Sequence, residues 1–244
     1  MDFPDNISRL CGKKHFSFGC HPDVACFTEC CRELDLALTP YDVLCLCKEL
    51  HMSAAEFIDR YVVVEQDEKG GFPILYLGMV DDGRASCPFI TEKGCKVYNS
   101  RPGPCRAYPV GRGVTLAANG DVREVHVLVR EAHCHGFAEP HSQNVAEWFK
   151  NQGLTEYNAI NDEVLRLLQH EKVAQDLCLT QEEKDTFILA LYRLDEFRNM
   201  VSSAAFCDKY MLSEEERHAV LADDMSLLRF GIHWLQKCLF TENP

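Results

Sequence analysis

The placement of its cysteines constrains this chain more than any other feature. Of fourteen, eleven lie between Cys11 and Cys134, and only Cys178, Cys207 and Cys238 follow. Much shorter chains need disulfides or metals to hold a fold, but 244 residues can bury a core without them. The N-terminus, Met1-Asp2-Phe3-Pro4-Asp5, has no basic stretch followed by an apolar one, so no signal peptide is expected. No apolar run reaches ~18 residues, so no transmembrane helix is expected either. In the reducing cytoplasm, the expected location, clustered thiols serve metal binding or catalysis rather than disulfides.

The first cluster is Cys20-His-Pro-Asp-Val-Ala-Cys26-Phe-Thr-Glu-Cys30-Cys31-Arg32. The second runs through Cys87-Pro88-Phe89, Gly94-Cys95 and Arg101-Pro102-Gly103-Pro104-Cys105-Arg106, and Cys134 stands between His133 and His135. Thiolates are the usual ligands of iron–sulfur clusters and of structural zinc. Ligands close in sequence converge with little loop-closure cost. Gly94 and Gly103 let the backbone wrap tightly, and Pro88, Pro102 and Pro104 stiffen it.

Cys30 and Cys31 are adjacent, and neighbouring side chains generally point in different directions. Either one is a ligand while the other packs, or the two serve different metal atoms. Eight candidates, Cys20, Cys26, Cys30, Cys31, Cys87, Cys95, Cys105 and Cys134, suffice for two four-cysteine sites, or for one cluster with structural neighbours. Cys11, Cys45, Cys47, Cys178, Cys207 and Cys238 read as small hydrophobes, with Cys45 and Cys47 the leading exceptions.

The run Cys-x₅-Cys-x₃-Cys-Cys-Arg from Cys20, then Cys87-Pro-Phe-Ile, Gly94-Cys95-Lys-Val-Tyr98 and Arg101-Pro-Gly-Pro-Cys105-Arg-Ala-Tyr-Pro109, resembles the YkgJ-type cysteine-cluster family. Cys134 matches the family's final cysteine, and the likeness covers roughly residues 16–140. The family is described as zinc- or iron-chelating. Its shorter form carries Cys-x₂-Cys-x₂-Cys-Cys, and the wider spacing here looks more like the relative that methylates flagellin lysines. The resemblance implies an iron–sulfur cluster, 4Fe-4S in type, or else zinc. It also implies, as an alternative, a protein-modifying enzyme such as an S-adenosylmethionine-dependent lysine methyltransferase, with a protein substrate or partner.

Around the candidate ligands, Arg32, Arg101, Arg106 and Arg112 are placed to offset the negative charge of a metal–thiolate centre. His133 and His135 are candidate substitutes for a thiol, His15 and His21 weaker ones, and Tyr98 and Tyr108 are expected to pack over the site. A net charge of −13 argues against nucleic acid and against an anionic membrane as partners. Gly111-Arg-Gly113 lacks the third glycine of a dinucleotide loop, and no Cys-x₃-Cys-x₂-Cys run, P-loop or Gly-x-Ser-x-Gly is present.

The expected fold is mainly α with a small β-hairpin, an α+β chain. A loop-rich cysteine-cluster metal-binding part over residues 1–140 precedes an α-helical C-terminal part over 141–244. Thr39-Pro40 opens a helix to about Leu50, and Ser53 to Glu56 is a capping box for a helix to about Tyr61. Phe72 to Val80 reads as a strand. Val114 to Ala118 and Val122 to Val129 flank the hairpin signal Asn119-Gly120. Further capping boxes begin at Thr180 and Ser213. Phe187, Leu191, Leu194 and Phe197 share one helical face, and Met225, Leu228, Ile232, Leu235 and Leu239 mark a last amphipathic helix.

Overall fold

A computed structural model describes residues 3–66, 70–117, 119–175 and 177–240. Strands β1 (Ile7–Leu10) and β2 (Phe16–Ser17) precede a 3₁₀ turn at Glu29–Cys31. Helices α1 (Pro40–Leu50) and α2 (Ala54–Tyr61) follow, then the hairpin of β3 (Val62–Glu65) and β4 (Ile74–Leu77) and that of β5 (Ile90–Thr91) and β6 (Gly94–Cys95). Helix α3 (Gly103–Ala107) leads into β7 (Val110–Leu116) and β8 (Val122–Val129), and β9 (Ser142–Gln143) returns to pair with β2. The remainder is helical: α4 (Val145–Asn151), α5 (Leu154–Leu168), α6 (Glu171–Ala174), α7 (Gln181–Tyr192), α8 (Leu194–Ser202), α9 (Ala204–Tyr210), α10 (Glu214–Leu221) and α11 (Asp224–Phe240). The chain is about 48% helical and 17% strand, an α+β fold with helix dominant.

The helix starts follow local chemistry. Thr39, Ser53, Thr180 and Ser213 each accept a backbone N–H with the side chain, while Asp42, Glu56, Glu183 and Glu216 reach back to the capping residue. Such caps contribute ~1 kcal/mol each. Asn144 with Glu147 makes a fifth such box, opening α4. Leu194 and Phe197 do not continue the α7 helix of Phe187 and Leu191. The chain breaks at Arg193 (φ −107°, ψ 57°), and all four side chains stay buried by lying on two helices.

Strands depart further from expectation. β4 spans Ile74–Leu77 rather than Phe72 to Val80, because Pro73 offers no N–H to a ladder, and past Leu77 only Gly78 bonds the chain before β3, through Tyr61. β7 starts at Val110, four residues early, and Ala118 lies outside the described residues. The hairpin closes through Ala117 and Asp121, and Gly120 alone of Asn119-Gly120 takes positive φ (80°). β8 pairs with β7 on one side and with β1 on the other, making a three-stranded antiparallel sheet with Ile7 opposite Val129.

Two apolar cores organise these elements. The larger draws on both sides of residue 140: Leu46, Phe57, Leu75 and Phe89 from the N-terminal half meet Ile160, Phe187, Phe197, Leu228 and Leu235. The smaller gathers Leu10, Phe16, Phe18, Val110, Leu128, Val145 and Trp148. Phe18 lies edge-on to Trp148, Phe137 and Tyr108 at 5.2–5.8 Å. Cys87 and Cys95 pack against the first core and Cys134 against the second. No described helix is long and apolar enough to cross a membrane.

Candidate metal centre

Four chain segments carry the eight candidate thiols; hydrogen bonds join three of them to one another, and the fourth, with Cys105, is anchored to α1. The loop after β2 holds Cys20, Cys26, Cys30 and Cys31, bending sharply where Thr28 (φ 72°) and Glu33 (φ 53°) adopt left-handed backbone. Gly19 N–H donates to Gly136 O at 3.0 Å, which sets Cys20 beside the Cys134 turn. The His135 N–H donates to the Cys26 sulfur at 3.1 Å. On the other side, Cys87 N–H donates to Cys31 O at 2.9 Å, and Arg32 bridges Ser86. Cys95 pairs with Ile90 across the β5–β6 hairpin, and Ile90 N–H bonds back to Cys87 O at 3.1 Å.

Cys105 sits mid-way along α3, and α3 is anchored by a residue that sequence reasoning missed. Asp42 is fully buried. Its Oδ1 accepts the Gly103 N–H at 2.7 Å and its Oδ2 accepts both the Thr39 N–H and hydroxyl at 2.8 Å. Burial drives this carboxyl upward from its ordinary range, and the Gly103 and Thr39 donors pull it back. Its position three residues after the Thr39 cap was the available signal.

All fourteen cysteines are free thiols. Burial and neighbouring thiols shift several of them in the same direction. Cys20 is pushed up to about 11 by desolvation, then by Cys30, Cys26 and Cys134, and Arg101 opposes the shift. Cys105 retains solvent-exposed surface within a dense protein surround. That surround desolvates it, and with Cys87, Asp42, Cys95 and Cys30 pushes it up to about 12. Burial also raises Cys87, Cys95 and Cys134. Crowded, desolvated thiols resist ionising one after another, and a bound cation reverses that penalty.

Cys30 and Cys31 are adjacent in the 3₁₀ turn, and the ionisation of one thiol governs that of the other. A hydrogen bond from one stabilises the thiolate of the other, so the pair gives up its first proton more easily than an ordinary thiol and its second with great difficulty.

The surrounding side chains divide. Arg101 lies within electrostatic reach of Cys20, Cys95 and Cys105. Arg106 instead clamps backbone: its guanidinium donates to Arg101 O (2.8 Å), Gln152 O (2.9 Å) and Asn99 O, tying the loop before Cys105 to the α4–α5 junction. Arg32 bonds Thr28 O at 2.8 Å within the first cluster. Arg112 is engaged elsewhere, in a bidentate pair with Asp162 (2.7 and 2.8 Å) and a bond to Glu124.

Tyr98 does not cover the site. It is 55% exposed and carries the Arg101 guanidinium 3.9 Å above its ring. Tyr108 does face Cys134, and burial followed by that thiol raises its phenol. His133 pairs with Glu131 at 3.4 Å, His21 with Glu139 at 3.2 Å, and His15 is exposed. His135 contributes its backbone, not its ring, to Cys26. Away from the candidates, Cys45 faces Tyr41 and Tyr157, and Cys47 is pushed up to about 12 by burial and Asp195.

Among the described residues, no three Cys, His, Asp or Glu side chains already stand as ligands of one ion. The donor set nonetheless fits a thiophilic metal: free thiols, a backbone N–H aimed at one sulfur, and one arginine shared between several. Residues 19–135 match the model of a family named CxxCxxCC, described as a "putative zinc- or iron-chelating domain". No curated protein and no solved structure gives a match.

Proposed function

We propose, from the premise that residues 19–135 form a zinc- or iron-chelating cysteine-cluster domain, that this domain holds an iron–sulfur cluster through thiolates drawn from Cys20, Cys26, Cys30, Cys31, Cys87, Cys95, Cys105 and Cys134. One observation supports the reading: hydrogen bonds tie the Cys20–Cys31 loop both to the Cys134 turn and to Cys87, and the eight candidates are free thiols, while His21 and His133 are engaged with carboxylates. An all-sulfur donor set suits iron–sulfur chemistry and structural zinc alike. A cluster would supply one-electron redox chemistry, whereas zinc would fix the fold and stay redox-silent.

The protein's own residues prepare the site. Asp42 fixes α3 and with it Cys105. Arg101 lowers the cost of ionising Cys20 and Cys95. The His135 N–H stabilises negative charge on Cys26 sulfur.

The test is metal and acid-labile sulfide analysis, with an absorption spectrum, on full-length protein purified without oxygen. Brown protein with equal iron and sulfide supports the cluster. Colourless protein that retains zinc replaces the cluster with a structural zinc centre. Protein that retains neither metal, even after reconstitution, overturns chelation. Cys30→Ser and Cys105→Ser are each expected to lose metal.

A further inference from the structure

We infer that the groove between the outer edge of β7 and helix α5 binds a short, extended, uncharged peptide segment, which joins the β1–β8–β7 sheet as a fourth strand. The site is separate from the thiols and does not depend on which metal they hold.

The hydrogen-bond alternation of β7 defines that edge. Val129 N–H donates to Pro109 O at 2.9 Å and Ala117 N–H to Asp121 O at 2.8 Å, with Val110 opposite Leu128 and Leu116 opposite Val122. Odd-numbered residues of β7 therefore bond β8, and the backbone groups of Val110, Arg112, Val114 and Leu116 point the other way. Gln169, at the C-terminal end of α5, already answers part of the edge as a strand would. Its carboxamide oxygen accepts the Leu116 N–H at 3.0 Å, and its nitrogen donates to Val114 O at 3.4 Å. Among the described residues, no hydrogen bond reaches the N–H or C=O of Arg112 or the N–H of Val114. An unpaired strand edge is a template for an incoming chain.

A cavity of about 560 Å³ borders this open stretch. Pro104 and Ala107 of α3, Phe149 of α4 and Leu165 of α5 give it apolar walls, and the Asn158 and Asn161 carboxamides add polar groups. Arg112 and Asp162 also line it, but they neutralise each other in a bidentate pair at 2.7 and 2.8 Å. With its charges spent internally, the groove favours the interior of an uncharged, apolar segment over a chain terminus or an acidic or basic one. Val110 to Val114 span about 13 Å, the length of about five strand residues. α3 also carries Cys105, which places the segment beside the proposed centre.

The test titrates isotope-labelled full-length protein, as purified, with the blocked peptide acetyl-Thr-Val-Thr-Val-Thr-amide and its relatives with Leu or Phe at the Val positions. NMR follows backbone amide shifts and hydrogen exchange. Saturable shifts centred on Arg112 and Val114, with slowed exchange of both amides, are expected. Two further peptides carry N-methyl groups at alternate residues, one at the odd and one at the even positions. One pattern removes the donors that face β7 and should bind about tenfold more weakly, while the other should bind as the parent does. Val114→Pro removes an outward N–H without touching the β8 ladder and should weaken binding to a similar degree. Asn158→Trp, which fills the groove from α5, serves if that variant fails to fold. No saturable shift, shifts centred away from β7, or equal effects of the two methylation patterns overturn the inference. Shifts of the same amides with protein concentration alone also overturn it, giving the edge to a second copy of the chain. None of these outcomes bears on metal content, so chelation stands or falls on its own measurement.

Discussion

The Asp42 carboxylate accepts the Gly103 N–H at 2.7 Å, across 61 positions of sequence, and so ties the first turn of the Cys105 helix to the start of α1. The same carboxylate completes the Thr39 capping box. Asp42→Ala removes both functions and leaves the buried Gly103 donor without a partner. The expected cost is about 3 kcal/mol, combining a lost cap with an unsatisfied N–H. Urea unfolding of the metal-free protein measures it, and chelator competition should show weaker metal retention. Unchanged stability would remove Asp42 from this account.

The helix starts were legible in the sequence because caps are local. Thr39, Ser53, Thr180 and Ser213 announce themselves within four residues. The metal-binding segments were legible because cysteine spacing survives without knowledge of the fold. β1 was not, since Ile7–Leu10 joins β8 through partners more than a hundred residues away. Asp42 illustrates the same limit. Its cap is a local event, but its bond to Gly103 exists only after α1 and α3 pack. The turn that carries Cys30 and Cys31 starts from a left-handed Thr28, a conformation that no residue preference indicates.

Gly136 and Gly231 should separate damage at the site from damage elsewhere. A Cβ on Gly136 would lie 2.6 Å from Gly19 O and 2.6 Å from a Phe18 ring carbon, forcing apart the segments that carry Cys20 and Cys134. A Cβ on Gly231 would lie 2.7 Å from Ala190 O, where α11 crosses α7. Both alanine variants should lose about 1–3 kcal/mol by overpacking. Only Gly136→Ala should also weaken metal binding. Equal metal affinity in the two, read by chelator competition, would count against the placement of Cys20 and Cys134 at the centre.

Arg101→Gln should weaken metal binding by roughly tenfold or more, the usual effect of removing a cation or donor that supports metal ligands. The reason is that Arg101 opposes the upward shift of Cys20 and Cys95, so its loss makes both thiolates costlier. Arg112→Gln is the control, because Arg112 is occupied by Asp162 and Glu124. Should both variants bind zinc equally well in a competition titration, the charge of Arg101 is irrelevant to the centre.

Alkaline pH should destabilise the metal-free protein. Cys20 is raised from 9.0 to about 11, and Cys47 and Cys105 to about 12. Burial also raises the phenols of Tyr41, Tyr108, Tyr157 and Tyr192. The unfolded chain gives up these protons first. Between the unfolded and folded values it therefore binds fewer protons than the folded chain, and unfolding becomes easier as pH rises. The contribution is full below the ordinary thiol value and is lost on passing through about 11 to about 12. Denaturation midpoints of reduced, metal-free protein should fall between about pH 8 and about pH 10, and Cys47→Ala should lessen the fall. Metal reverses the sign for its ligands. Binding replaces protons on Cys20 and Cys105, so affinity tightens and protons are released as pH increases. A flat midpoint together with pH-independent metal affinity would mean that these thiols are neither desolvated nor ligands.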